Sequence, residues 1–309
     1  LIAIHSNDIP DVFPAEAVAQ AEAAQPVVMS AASKREDLRH LPLITVDGAD
    51  ARDFDDAIWA APDDDPKNKG GWQIIVAIAD VSHYVTFNSA LDREARRRGN
   101  SVYFPDRVVP MLPEALSNNL CSLRPDEDRP VLAVTMRLDA KGRRLEHKFH
   151  RAMIRSAARV IYEDLQAAHD GEPNEQTGPI LDTVIEPLYG AWGALMRARE
   201  SRQPLDLDLP EMKISVGEDG HVEDVRQRQR LDAHRVIEEF MIEANVAAAE
   251  TLEAQKMPCV YRVHDQPDRE KLLGLKDFLS SLGLSFAMGE RLRPELFNRI
   301  LAKAKDTEQ

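Results

Sequence analysis

The feature that most constrains this chain is a crowded acidic segment between two apolar, strand-like runs. Within ten residues the sequence places five aspartates and one compensating arginine: Asp47, Asp50, Asp53, Asp55, Asp56 and Arg52. Carboxylates this close raise one another's pKa and resist ionising together. A fold that turns the segment inward therefore needs a positive partner for it, and a hard divalent cation with oxygen ligands is the simplest one.

The order strand, acidic turn, strand favours a magnesium site for phosphate chemistry. Residues two apart point to the same face of an extended chain, which places Asp53 beside Asp55. Together with Asp47 and Asp56 they could hold one or two Mg²⁺ ions, and two ions about 4 Å apart can clamp both reacting oxygens of a phosphodiester. The alternative is a solvated acidic loop, which the apolar Phe54 inside the segment disfavours. An EF-hand does not fit, because its glycine and final glutamate are not at the required positions.

The composition is that of a globular protein with an acidic surface. The chain has 309 residues, 43% of them hydrophobic, and a formal net charge of −14. Because nucleic-acid backbones are usually bound by Lys and Arg, this charge indicates that any strong nucleic-acid affinity comes partly from other modules. The longest apolar stretch, residues 72–79, is far shorter than the roughly 20 residues that span a bilayer. Two cysteines without metal or disulfide spacing suit a reducing cytoplasm, and we expect a cytoplasmic monomer with no membrane contact.

Apolar periodicity predicts an α+β fold, with a mixed, mostly antiparallel sheet and surrounding helices. The expected strands are residues 1–4, 43–47, 57–61 and 72–79, a hairpin of 131–138 with 145–149, and a second hairpin over 214–225 that turns at 218–220. The expected helices are residues 15–24, 154–169, 183–202 and 235–255, and one that starts at 267–268 and ends at Gly283. Residues 101–124 form a long proline-containing loop of the kind that is often functional.

Several ordered motifs resemble those of the RNB exoribonucleases, the ribonuclease II and ribonuclease R family, and most closely its ribonuclease R branch. The motifs are TVDGADARDFDDA at 45–57, VAIADVS at 76–82, RGNSVYFP at 98–105, PMLP at 110–113, LSNNLCSL at 116–123, HRVIEEFM at 234–241 and YRVHD at 261–265. The resemblance implies hydrolytic, processive 3′→5′ degradation of single-stranded RNA to 5′-mononucleotides, dependent on Mg²⁺. It also implies that residues 1–40 are the end of a preceding cold-shock barrel and a linker, and that 41–309 form a C-terminally incomplete RNB catalytic domain.

The same resemblance assigns roles to individual residues. Asp47, Asp53, Asp55 and Asp56 match the catalytic, metal-binding aspartates. Tyr103 matches a tyrosine that stacks on the terminal base, Tyr162 one near the sugar, and Glu238 a glutamate associated with the choice of RNA over DNA. Taken without the resemblance, Tyr103 is equally a half-buried loop tyrosine, and Tyr162 and Glu238 are ordinary helix residues. Asp80 is either a further ligand or a strand-end cap.

Departures from the family pattern leave the activity of this chain open. The resemblance predicts a Thr-Ser-Pro-x-Arg segment whose arginine contacts the reacting phosphate, and none occurs before Gln309. Leu207 stands where a base-stacking phenylalanine is frequent. We therefore expect a fragment that binds Mg²⁺ and degrades RNA weakly or not at all, in a full-length protein with cold-shock barrels and a C-terminal RNA-binding barrel. The alternatives are a non-catalytic RNA-binding homologue and a phosphodiesterase for small substrates.

Overall fold

The computed structural model describes residues 2–30, 33–205, 209, 211–217, 221–227, 229–263, 265–286 and 293–304. The chain divides into two compact units, the first formed by residues 1–196 and 210–248 and the second by 197–209 and 249–309. The acidic segment and the other predicted site residues all belong to the first unit.

A seven-stranded sheet forms the centre of the first unit. Its strands are β1 (Glu36–Asp37), β2 (Ile44–Asp47), β3 (Asp56–Pro62), β4 (Trp72–Ala79), β7 (Asp128–Leu138), β8 (Arg144–Arg155) and β9 (Ala158–Ile161), in the spatial order β1-β8-β7-β4-β3-β2-β9. Pairing is antiparallel except at the two ends, where β1 runs parallel to β8 and β9 parallel to β2. Two short hairpins accompany it: β5 (Val102–Tyr103) with β6 (Val108–Val109), and β10 (Met212–Val216) with β11 (Val222–Gln227). The predicted α+β class and mostly antiparallel sheet are confirmed.

Helices and hydrophobic cores cover both faces of the sheet. The helices that begin in the first unit are α1 (Ile2–Ser6), α2 (Ala15–Ala23), α3 (Val81–Tyr84), α4 (Ala90–Arg98), α5 (Tyr162–His169), α6 (Glu186–Arg202) and α7 (Asp232–Ala254). The second unit contains α8 (Arg269–Ser281) and α9 (Pro294–Ala304). Along β4, Ile74 and Val76 pack into one core with Phe240 of α7, while Ile75 and Ala77 pack into the other. This two-sided burial explains why the strand reads as a continuous apolar run. No helix in the described part of the chain is long and apolar enough to cross a bilayer.

Two sequence-based assignments are wrong. The strand expected over residues 1–4 is helical from Ile2, because the backbone forms local bonds such as Asn7 N to Ala3 O. The helix expected over 154–169 begins only at Tyr162; before it, the chain completes β8 and then forms β9. The parallel register of β9 with β2 supplies backbone hydrogen bonds and buries Ala158 and Val160, so tertiary pairing overrides the local helical pattern. The turn expected at 218–220 lies outside the described residues.

Candidate active site

The acidic segment joins two neighbouring strands at one end of the central sheet. Asp47 is the last residue of β2 and Asp56 the first of β3, so the sheet fixes both ends of the turn between them. The two strands pair through Ile44 and Ile58, well inside the core. The prediction that the acids lie on a turn between two strands is therefore confirmed.

Phe54 anchors the turn to the body of the unit. Its side chain is only 2% exposed, its backbone N–H donates to Ser122 Oγ at 3.3 Å, and its carbonyl accepts from Leu123 N at 2.6 Å. The carbonyl of Asp55 accepts from Ala79 N at 2.8 Å, which ties the turn to the end of β4. Because Phe54 points into the protein, the side chains of Asp53 and Asp55 project on the other side of the extended chain.

Arg159 is a functional candidate that sequence reasoning did not single out. Its Nη2 donates to the carbonyl of Ala51 at 2.6 Å, and its guanidinium lies 3.8 Å from the centroid of the Phe54 ring. The sheet places it there, because β9 pairs with β2 in a register that sets Arg159 opposite Thr45. In the sequence Arg159 is one of several basic residues; the apolar–charged–apolar alternation of residues 158–160 is the signal that could have indicated a strand presenting it.

The environment of the acids favours their neutral forms. Burial raises the pKa of Asp56 to about 7, and the charges of Asp55 and Asp47 add to the effect. Protein atoms surround Asp55 although its side chain keeps an accessible face, and this loss of water, followed by the charges of Asp53 and Asp47, raises its pKa. The four carboxylates are therefore close enough to repel one another, as their spacing in the sequence predicts.

The donor set fits magnesium in its chemistry. Carboxylate oxygens are the ligands that Mg²⁺ prefers, and a cation would offset the repulsion that raises the pKa of Asp55 and Asp56. Within the described residues, no group of three or more His, Cys, Asp or Glu side chains is already arranged to hold a metal ion. The carboxylates of Asp47, Asp53, Asp55 and Asp56 would have to rotate toward a common centre to coordinate one.

Two nearby aspartates have other partners. Asp50 is largely exposed, and its Oδ2 lies 3.4 Å from Nζ of Lys213 on β10. Asp80 is buried after β4, where its carboxylate binds Arg35 at 2.6 Å and Arg151 at 2.8 Å. Burial by itself would raise the pKa of Asp80, but the hydrogen bonds from Arg35 and Ser82 outweigh it and lower the pKa. Asp80 therefore neutralises two arginines, and we do not count it among the metal ligands.

Tyr103 on β5 lies beside the acidic turn. Partial burial raises its pKa, and the negative charges of Asp53, Asp55 and Asp47 add to the effect. At the same time 65% of the residue is exposed. The structure thus brings Tyr103 to the acids while leaving aromatic surface accessible for a base to stack on.

Tyr162 and Glu238 connect to the same region through the sheet and α7. Ile161 pairs with Asp47 at the end of β9, and Tyr162 follows it directly as the first residue of α5. The Tyr162 ring stacks on His234 of α7 with centroids 4.1 Å apart, and Glu238 lies one helical turn beyond His234. Leu207 lies outside the described residues, so its expected failure to stack stays a prediction.

Comparison with known proteins identifies the family. A model of the RNB domain matches residues 35–309. The chain belongs to the RNB family. Ribonuclease R of Escherichia coli is 41% identical over an alignment 309 residues long, which covers 99% of this RNB chain and 37% of the relative.

Solved RNB structures have the same fold. Mycoplasma genitalium RNase R, in complex with ribose-methylated single-stranded RNA, superposes on this chain with a TM-score of 0.89 and is 28% identical to it. The match covers 99% of this chain and 47% of the Mycoplasma chain. Yeast Ssd1, described as a pseudonuclease, shares the fold with a TM-score of 0.65 at 17% identity. The chain spans less than half the length of these relatives. Because a pseudonuclease shares the fold, the residues of the site, and not the fold, must support an activity.

Proposed function

We propose that this RNB chain carries the catalytic acids of a Mg²⁺-dependent hydrolytic exoribonuclease, which shortens single-stranded RNA processively from its 3′ end and releases 5′-mononucleotides. One observation carries the proposal: four mutually repelling carboxylates and an exposed tyrosine meet at the end of the sheet. The similarity to ribonuclease R supports the same reaction class.

The residues present support a division of labour at the scissile bond. Asp47, Asp53, Asp55 and Asp56 would hold Mg²⁺, which when bound supplies positive charge to a phosphodiester under attack. Bound Mg²⁺ would favour the ionised form of Asp56 and lower its pKa from the value of about 7 that burial and the neighbouring carboxylates give it. The accessible ring of Tyr103 would bind the terminal base by stacking, which contributes about 1–3 kcal/mol per base and tolerates any sequence.

The sugar would be recognised on the other side of the turn. Tyr162 follows the strand that pairs with β2 and stacks on His234 of α7, and Glu238 lies one helical turn beyond His234. A carboxylate that accepts a hydrogen bond from the 2′-OH gives a physical basis for preferring RNA over DNA. With a net charge of −14, the chain would obtain little affinity from phosphate contacts, so we expect the flanking cold-shock and RNA-binding barrels to supply them.

Asp55→Asn in the full-length protein that contains this chain tests the proposal. We expect turnover of a fluorescent single-stranded RNA to fall at least about 100-fold, because the variant would lose a ligand of the cation that stabilises transition-state charge, and losing such stabilisation costs on the order of 3 kcal/mol. RNA affinity, measured by fluorescence anisotropy in EDTA, should stay within about threefold of the unmodified value, because the substitution alters at most one hydrogen bond to the RNA. The matched control is Asp50→Asn, which removes the same charge from an exposed aspartate paired with Lys213.

The competing function is a non-catalytic RNA-binding homologue. The fold is compatible with such a role, because yeast Ssd1, described as a pseudonuclease, shares it. For such a protein Asp55→Asn should change neither hydrolysis nor binding. Hydrolysis of a small phosphodiester such as bis(p-nitrophenyl) phosphate, with none of RNA, would instead favour a small-substrate phosphodiesterase.

A further inference from the structure

His234 links the two residues that the proposed function assigns to the sugar. Its imidazole stacks on the Tyr162 ring with centroids 4.1 Å apart and planes 17° from parallel. Both residues are half-buried and lie at the edge of the larger core. Since the stack covers one face of Tyr162, it restricts the directions in which that ring can turn.

The orientation of His234 is itself fixed by the backbone. The N–H of Leu231 donates to His234 Nδ1 at 3.1 Å, so in the neutral ring the proton lies on Nε2. Nearby, Ala233 donates its N–H to Gln166 Oε1 at 3.0 Å, one turn after Tyr162 on α5. Two contacts therefore join the first turn of α7 to the first turns of α5, and the His234 ring is one of them.

Glu238 lies on the same face of α7 as His234, because residues four apart are neighbours on a helix. Its Oε2 accepts from Arg230 Nη2 at 2.7 Å, which holds the carboxylate toward the start of the helix. A rotation or shift of this first turn would move Tyr162 and Glu238 relative to each other. The His234 stack and the first turns of α7 therefore connect the Tyr162 ring to the Glu238 carboxylate.

We propose that His234 is a positioning residue for sugar selection. It fixes the orientation of the Tyr162 ring relative to Glu238 on α7, so that the preference for RNA over DNA depends on its stacked imidazole. The inference rests on the proposed function, because it takes Tyr162 and Glu238 as the groups that meet the sugar. His234 acts through them, and we assign it no part in breaking the phosphodiester.

The test compares the affinities of the full-length protein that contains this chain for a fluorescent single-stranded RNA and for DNA of the same sequence, by anisotropy in EDTA. We expect the unmodified protein to prefer RNA about tenfold or more, the effect of one hydrogen bond to a charged group. His234→Ala should reduce this ratio to about threefold or less, because the ring and carboxylate lose their common support. His234→Phe keeps the stacking surface and should recover most of the preference, whereas His234→Asn, without a ring, should not.

The matched control is His169→Ala. His169 also stacks on a tyrosine, Tyr189, with centroids 3.6 Å apart and planes 5° from parallel, but at the far end of α5. The control variant removes a similar contact and should leave the RNA-to-DNA ratio unchanged. Circular dichroism identifies variants that have lost their fold. If His234→Ala is one of them, the difference in RNA-to-DNA affinity ratio between His234→Phe and His234→Asn tests the role of His234 instead.

The outcomes separate this inference from the proposed function. A folded His234→Ala protein that keeps the full RNA preference, or a His169→Ala protein that loses as much, overturns the role of His234 alone. If the unmodified protein binds RNA and DNA equally, the assignment of Tyr162 and Glu238 to the sugar is wrong, and the role of His234 is wrong with it.

Discussion

Aspartates that look alike in the sequence have different environments in the folded chain. Asp55 and Asp56 lie among other carboxylates, and their pKa values are raised, first by burial and then by those charges. Asp80 is also buried, and burial raises its pKa, but the hydrogen bonds from Arg35 and Ser82 lower the pKa by more, so the net shift is downward. The raised pKa values therefore mark carboxylates that a cation would stabilise, whereas Asp80 already has two arginines.

The pKa of Asp56 makes the metal-free chain less stable as the pH rises. The ordinary pKa of this carboxyl is 3.8 and its pKa in the fold is about 7, so between these values the folded state holds a proton that the unfolded state has released. The stability contributed by this group is complete below about pH 4 and is lost as the pH rises through 7. We expect Asp56→Asn to raise the free energy of unfolding at pH 8 by about 1–3 kcal/mol, and by little at pH 4.

Urea denaturation in EDTA at both pH values measures this difference. Asp64→Asn is the control, because Asp64 is exposed in the turn after β3 and its substitution removes the same charge. An equal gain in both variants would show that only the net charge matters, and would contradict the local origin of the effect.

At the scale of elements, the acidic turn depends on β9 for its support. Arg159 binds the turn twice, at the Ala51 carbonyl and at the Phe54 ring. We expect Arg159→Ala to reduce the free energy of unfolding by about 1–2 kcal/mol, the sum of a cation–π contact and a charged hydrogen bond. It should also weaken Mg²⁺ binding, measured by isothermal titration calorimetry, because the acids lose their fixed backbone.

Arg96→Ala is the matched control for this change. Arg96 also lies over a phenylalanine, Phe87, at 5.1 Å, but on the exposed surface of α4. Its substitution should leave Mg²⁺ affinity unchanged. Equal losses of Mg²⁺ affinity in the two variants would contradict a specific role for Arg159.

The β7–β8 hairpin depends on one glycine. Gly142 has a φ of +76°, and a Cβ there would overlap the carbonyl oxygen of Ala194 on α6. Gly142→Ala should reduce the free energy of unfolding by about 2–5 kcal/mol, from left-handed strain plus overpacking. Gly171→Ala provides the comparison, since Gly171 has a φ of +97° with no atom near its Cβ position; strain alone should cost about 1–2 kcal/mol. Thermal or urea unfolding gives both values, and equal losses would contradict the steric argument.

At the scale of the whole molecule, a net charge of −14 makes the chain sensitive to cations. Any salt screens its self-repulsion, but a specific site adds binding energy to the folded state alone. We expect about 10 mM MgCl₂ to raise the melting temperature by roughly 2 °C or more above NaCl of equal ionic strength, corresponding to about 1 kcal/mol. Asp55→Asn should lose this excess and Asp50→Asn should keep it. If Asp55→Asn kept the additional increase in melting temperature with MgCl₂, Mg²⁺ would bind at a site other than the acidic turn.

How much could be predicted from the sequence varies along the chain. The strands at 43–47, 57–61 and 72–79 were predictable, because burial on both faces leaves a continuous apolar pattern that needs no knowledge of the partner strands. The error over residues 154–161 has the opposite origin. There the local pattern is compatible with a helix, and only the parallel pairing with β2, more than 100 residues away, selects a strand.

For the site, the sequence alone determined the chemical groups: clustered carboxylates have few uses except cation binding, and their spacing is local. It could not determine which groups meet, because that depends on register and packing between distant segments. Tertiary structure alone decided that Tyr103 lies against Asp53, that Arg159 supports the turn and that His234 covers Tyr162. The local sequence determines the chemistry that each residue can perform. Long-range packing, which periodicity does not encode, determines which other groups that residue contacts.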